Sequence, residues 1–199
     1  MQPCDMQPGD MQPGDMQLGD IATDLTAAGA TTVLLDGRSG SGKSTLADEL
    51  CRLWTSSTVV RLDDIYPGWD GLAWAIEHVR TCLLEPRAEG RPGRWRRWDW
   101  TTAAPSDWHT VAPDQRLVVE GVGALSAANR ALADLGIWVD APADVRKRRA
   151  LARDGDTYRP HWDRWAAQED VFISTLAPRS AADYLVTETA QGLIWAAVG

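Results

Sequence analysis

The apolar positions of this chain fall into two alternating rhythms. Short runs bounded by small or polar residues recur as ATTVLLD (30–36), STVVRL (57–62), RLVVE (116–120), LGIWVD (135–140) and DYLVTE (183–188). Apolar runs of this length with turn signals at both ends predict buried strands. Between them the spacing changes to three and four. STLADELCRLW (44–54) follows the first run at helical period, and GLAWAIEHVRTCLL (71–84) places Leu72, Ala75, Ile76, Val79 and Leu83 on one helical face. Pro142 opens a further helix to Arg153, and another runs from His161 to Leu176. Strands that alternate with helices predict an α/β fold with a central five-stranded parallel sheet. Residues 86–115, rich in proline, arginine and tryptophan without a clear period, predict an irregular insertion.

The first twenty residues break both rhythms. They read MQPCD, MQPGD, MQPGD, MQLGD, a five-residue repeat with four aspartates and no basic residue. Proline, glycine and aspartate at this density cannot bury a core, so residues 1–20 are expected to be a disordered tail and 21–199 a single domain. All four methionines lie in the repeat, and Met1, Met6, Met11 and Met16 are each candidate starts. No apolar stretch of the secretory type follows them. Without the four acids the formal charge moves from −8 to −4. A mildly acidic body argues against nucleic acid as a partner, because phosphate backbones call for a basic surface. No run is long enough to span a membrane. Cys4, Cys51 and Cys82 are odd in number and widely spaced, which fits neither a metal pair nor a disulfide framework and predicts a cytoplasmic setting.

The stretch after the first predicted strand carries the strongest chemical signal. GRSGSGKST (37–45) fits G-x-x-x-x-G-K-[ST], with Gly37, Gly42, Lys43 and Ser44 at the defining positions. The intervening Arg38, Ser39, Gly40 and Ser41, together with Thr45, would supply backbone amides around phosphate oxygens at a helix N-terminus. Lys43 would reach the terminal phosphates and the Ser44 hydroxyl would meet Mg²⁺. The chain has 18 arginines and only two lysines, Lys43 and Lys147, so a lysine at this place marks a need for a compact ammonium. Glu120, ending an apolar strand, is a second candidate for the metal. Asp140 also ends a strand but precedes Ala-Pro, which suits a turn or capping role. In DVRKRRALARD (144–154), Arg146, Arg149 and Arg153 share one helical face and could meet the charge of a transferring phosphoryl group.

RLDDIYPGWDGL (61–72) sets Asp63, Asp64 and Asp70 just beyond the second strand. A hydroxyl attacking a phosphate needs a position and a proton acceptor. Consecutive residues on an extended backbone face opposite ways, so one of Asp63 and Asp64 points into such a site. Asp63 is the expected base and Asp64 a turn or capping residue. Trp69, Trp98 and Trp100 could stack on a planar acceptor, and Asp70 or Asp99 could accept from sugar hydroxyls. Arg94, Arg96 and Arg97 form a basic patch that is either a solvated face or a seat for an acceptor that already carries phosphate.

Taken together, several of these stretches resemble the uridine kinase and phosphoribulokinase-like family of P-loop small-molecule kinases. The carriers are GRSGSGKST, LDDIY, GWDGL, RRWDW (96–100), VVEGVGAL (118–125), IWVDAPADVRKRRALARD (137–154) and ADYLV (182–186). The resemblance implies a P-loop fold of the nucleoside- and nucleotide-kinase type with a lid helix. It implies ATP and Mg²⁺ as cofactors, Asp63 as catalytic base, Arg149 and Arg153 with Lys43 on the transferring phosphate, and Arg146, Asp70, Trp98 and Asp99 toward the acceptor. Two departures stand out. The loop between Tyr66 and Asp70 is short, and Ala103 occupies the place of the family's base-reading histidine. The expected partner is a small hydroxylated metabolite, a nucleoside before other classes, with a homo-oligomer compatible with the sequence. The alternatives are a kinase of a phosphorylated acceptor, such as a nucleoside monophosphate, and a switch-type P-loop ATPase that binds a protein.

Overall fold

The computed structural model describes residues 17–189 and 192–198, so the repeat up to Met16 lies outside the described residues. The chain enters through helix α1 (Leu18–Ala27), which starts inside the stretch assigned to the tail. The fourth copy of the repeat has Leu18 where the earlier copies have proline. That exchange allows a helix, and Leu18, Ile21, Ala22 and Leu25 then bury one face of it. Asp20 accepts from the Gln17 amide at 3.0 Å and so caps the start.

Strand β1 (Thr32–Asp36) is buried along its whole length and leads through the glycine-rich turn into α2 (Lys43–Leu53). Strand β2 (Ser57–Arg61) follows, and the chain then runs through α3 (Leu72–His78), a π-helical stretch at Val79–Leu84 and a short α4 (Glu85–Ala88). The helix expected to end at 84 therefore continues through Pro86, which is tolerated in the first turn of α4. Residues 93–111 form an antiparallel hairpin of β3 (Gly93–Asp99) and β4 (Ala104–Val111), with a register shift between Arg96 and Trp98. This corrects the expectation of an irregular insertion. Gly93 and Trp95 are buried while Arg94 and Arg96 are exposed, an alternation of period two hidden by the arginine content.

The core sheet continues with β5 (Arg116–Glu120), α5 (Ala127–Arg130) and β6 (Leu135–Asp140). Helices α6 (Ala143–Tyr158), α7 (Trp162–Leu176) and α8 (Pro178–Ala181) precede β7 (Tyr184–Thr189) and β8 (Gly192–Ala197). Among the described residues the main sheet has the order β2-β5-β1-β6-β7-β8. The five predicted strands pair in parallel, and β8 adds an antiparallel edge beside β7 that the pattern reading missed. Apolar clusters cover both faces of the sheet, one including α3 and Trp165 of α7, the other α1, α2 and Trp54. The chain order reverses around β1, and the turns that follow β1, β2 and β5 open on one end of the sheet, where ligands of open α/β sheets bind. Cys51 and Cys82 are unpaired thiols.

Candidate active site

The glycine-rich turn is shaped by neighbours that leave no room for side chains. A Cβ on Gly40 would lie 2.1 Å from the Arg146 carbonyl oxygen, and Gly40 and Gly42 have φ of 78° and 96°. Only glycine takes both the contact and the left-handed backbone at little cost. The turn then delivers Lys43 and Ser44 at the first positions of α2, with Lys43 buried. Asp36 braces the turn from below. Its carboxylate accepts from the amides of Gly37 at 2.6 Å, Gly123 at 3.0 Å and Leu125 at 2.8 Å, and so ties the phosphate turn to the loop after β5. Burial pushes its pKa up to about 7, against the pull of these amides and of Lys43.

Glu169 of α7 braces the same turn from the side. It is 1% exposed; one oxygen accepts from the Ser39 amide at 2.8 Å and from Trp165 Nε1 at 3.1 Å, and the other from Arg38 Nε at 2.8 Å. Arg146 is buried beneath the turn, where its guanidinium donates to the carbonyls of Ala141 at 3.1 Å and Ser39 at 3.3 Å. Burial, reinforced by the nearby Arg38, lowers its pKa.

Glu120 ends β5 against the start of α2. Ser44 Oγ donates to its Oε1 at 3.1 Å, Lys43 Nζ lies 3.9 Å from the same oxygen, and Arg61 Nη1 donates to Oε2 at 3.2 Å. Among the described residues no cluster of three or more histidines, cysteines, aspartates or glutamates forms a metal cage. One hydroxyl and one carboxylate nevertheless suit Mg²⁺, which keeps waters and takes its other ligands from phosphates.

A cavity of about 440 Å³ opens beside this turn, with Ser39 and Lys43 at one side. Asp63 lies on a 3-10 turn at Leu62–Asp64, tighter than the extended backbone expected, and lines this cavity. Asp64 lines a separate one and lies 3.7 Å from Arg97, so the two carboxylates do diverge. Arg153 reaches into the cavity, 3.8 Å from Asp63 and 2.7 Å from Asp154. Its pKa is raised, chiefly by the bond to Asp154. The remaining wall is aromatic. Trp69 stacks on Tyr158 at 5.3 Å and meets Trp100 at 5.0 Å, and Tyr66 packs edge-on against Trp165 at 4.7 Å. The kink at Gly155, with φ of 54° inside α6, falls between Arg153 and Tyr158.

No family model matches the chain. A curated uridine kinase of Clostridium tetani is 30% identical over 138 aligned residues, which cover 60% of this chain and 66%, just under two thirds, of that relative. By sequence, this chain is similar to a uridine kinase. Solved structures agree on the fold. A protein described as a possible uridine kinase from Bacillus stearothermophilus superposes with a TM-score of 0.60 at 22% identity, over 84% of this chain and 96% of its own. A candidate fructose transport system kinase from a Silicibacter species gives 0.53 at 19% identity, over the same shares of the two chains. The chain thus has the P-loop kinase fold.

Within this kinase fold, several expected site residues stand apart from the cavity. Asp70 is engaged by Arg164 of α7, whose Nε donates to Oδ1 at 2.6 Å. Asp99 accepts from the amides of Thr101 at 2.8 Å and Thr102 at 3.3 Å, and its pKa is lowered by hydrogen bonds from Thr102 and Thr101. With Trp98 it lines the neighbouring cavity that Asp64 also borders. The three arginines expected on one phosphate-facing helix side have three separate partners: Arg146 lies under the turn, Arg149 holds Glu188 at 2.5 and 2.7 Å, and only Arg153 lines the cavity. Asp140 accepts from the Ala141 amide at 3.0 Å and from Arg179 at 2.9 Å, as a turn-capping residue does. Arg94 and Arg96 are exposed on the hairpin against Trp108. The pattern reading missed Asp36, Arg61 and Glu169. An acid closing a fully buried strand directly before Gly37 was a signal for Asp36, whereas nothing local marks Glu169.

Proposed function

We propose that the protein transfers the γ-phosphoryl group of ATP to a hydroxyl of a small acceptor, a nucleoside being the best fit. One observation carries this reading: the Asp63 carboxylate and the Lys43 ammonium line one cavity large enough for a small metabolite. The amides of residues 37–45 and Lys43 would hold the phosphates of ATP, and Ser44 with Glu120 would hold Mg²⁺. Bound Mg²⁺·ATP supplies the phosphoryl group and partly neutralises its oxygens. Asp63 orients the acceptor hydroxyl and takes its proton as the new O–P bond forms and the bond to the ADP oxygen breaks. Arg153 and Lys43 offset the charge that develops on the phosphoryl oxygens. The aromatic wall excludes water and positions the acceptor, which suppresses wasteful hydrolysis. Arg94, Arg96 and Arg97 lie off the cavity lining, which favours an unphosphorylated acceptor over a nucleotide.

The test is ADP release by the full chain with Mg²⁺·ATP, scanned over nucleosides, nucleoside monophosphates and sugars. Stimulation by nucleosides well above the acceptor-free rate supports the proposal. Stimulation by monophosphates alone, or by nothing, refutes it.

A further inference from the structure

Helix α7 meets both halves of the cavity through consecutive residues. Gln168 Nε2 donates to the Trp69 carbonyl at 2.6 Å, on the wall side. Glu169 lies on the buried face of α7, between Trp165 and Phe172. A carboxylate is costly to bury there, and an apolar residue of like volume would pack at least as well. Both of its oxygens are engaged at the turn: one takes the Ser39 amide and the Trp165 indole N–H, the other Arg38 Nε. Arg146, also buried, holds the Ser39 carbonyl at 3.3 Å. Ser39, which lines the cavity with Lys43, is thus fixed on both its amide and its carbonyl by buried side chains. Electrostatics alone speaks against an acid in this place, because a carboxylate hydrogen-bonded to a phosphate turn repels the nucleotide. Geometry has to outweigh that repulsion.

On the footing of the kinase reading above, which places nucleotide phosphates on the turn, we infer that Glu169 is a positioning residue for the nucleotide. It fixes the Ser39 amide so that the turn is preformed, and its shared oxygen couples filling of the turn to Trp165 in the cavity wall. A preformed turn loses less conformational freedom when the phosphates bind. The coupling is reciprocal, so a change at Trp165 is felt as nucleotide affinity.

The experiment titrates Mg²⁺·ADP into the full chain and its variants by calorimetry, where undiminished stoichiometry separates weaker binding from partial unfolding. Glu169→Ala should raise Kd about tenfold, although it removes a negative charge from beside a polyanion. Glu169→Gln should restore most of the affinity, since its amide oxygen still accepts from Ser39 and Trp165 while Arg38 keeps Asp170. Trp165→Phe, which keeps a ring and loses only the indole donor, should raise Kd about threefold. In the Glu169→Ala background it should add almost nothing, because both changes act through one oxygen.

Affinity unchanged or tightened in Glu169→Ala, as repulsion alone predicts, would overturn the inference. So would Glu169→Gln as weak as Glu169→Ala, which assigns the effect to charge, or additive losses, which put Trp165 in direct contact with the nucleotide. If Glu169→Ala does not fold, Trp165→Phe decides alone, and an unchanged Kd overturns the coupling. The expected pattern without phosphoryl transfer to any acceptor removes the kinase reading and leaves the inference standing. Transfer with unaltered affinities does the reverse, and no binding of Mg²⁺·ADP to the unaltered chain removes both.

Discussion

The phosphate turn and the acceptor wall share one cavity but are built by different physics. The turn is made of backbone: glycines at φ values closed to other residues, with amides fixed by the buried carboxylates of Asp36 and Glu169. The wall is made of side-chain faces drawn from three stretches of the chain, namely Tyr66 and Trp69, Trp100, and Tyr158 and Trp165. A phosphate is the same object in every nucleotide and rewards a rigid cradle. The ring faces of the wall offer stacking area to a flat molecule. Glu169 joins the two halves, because one of its oxygens receives both the Ser39 amide and the Trp165 indole.

Three changes would sharpen or break this contrast. Lys43→Ala removes the compact charge from the turn and should lower kcat by about 10²–10³-fold, read as ADP formation at saturating acceptor. A smaller loss would show that the turn works through its amides alone. Glu169→Ala strands the buried Ser39 amide and the Trp165 indole N–H, while Arg38 keeps its ion pair with Asp170 at 2.6 Å; the cost should be about 2–3 kcal/mol, seen as a lowered midpoint in urea unfolding. An unchanged midpoint would mean that the two halves are not joined through this residue. Asp70→Asn should alter acceptor KM by less than about threefold, since Arg164 already occupies that carboxylate and exposed pairs contribute little. A large rise in KM would return Asp70 to the acceptor site and shift the boundary between the halves.

The same contrast explains what could be read from residue order. The turn was legible down to Lys43 and Ser44, because glycine spacing and the strand before it are local features. So were the five parallel strands, whose apolar runs need no distant partner to be recognised. Hairpin β3–β4 was not, because arginine and proline masked the alternation of Gly93 and Trp95 with Arg94 and Arg96. The acceptor wall was only half visible. Asp63, Trp69 and Trp100 sit near one another in sequence or in the family pattern, but Tyr158 and Trp165 reach the cavity by tertiary packing. Arg146, Arg149 and Arg153 do lie three and four apart, yet spacing states only which side of a helix they share. It does not say that the turn, Glu188 and Asp154 each claim one of them.

The central claim is that the Asp63 carboxylate activates an acceptor hydroxyl beside the phosphate turn. Its most direct test measures turnover and ATP affinity of Asp63→Asn in parallel with the unaltered chain. The predicted result is a fall in kcat of about 10²–10⁴-fold with ATP affinity and acceptor KM changed little. Turnover within about threefold of the unaltered chain would contradict the account.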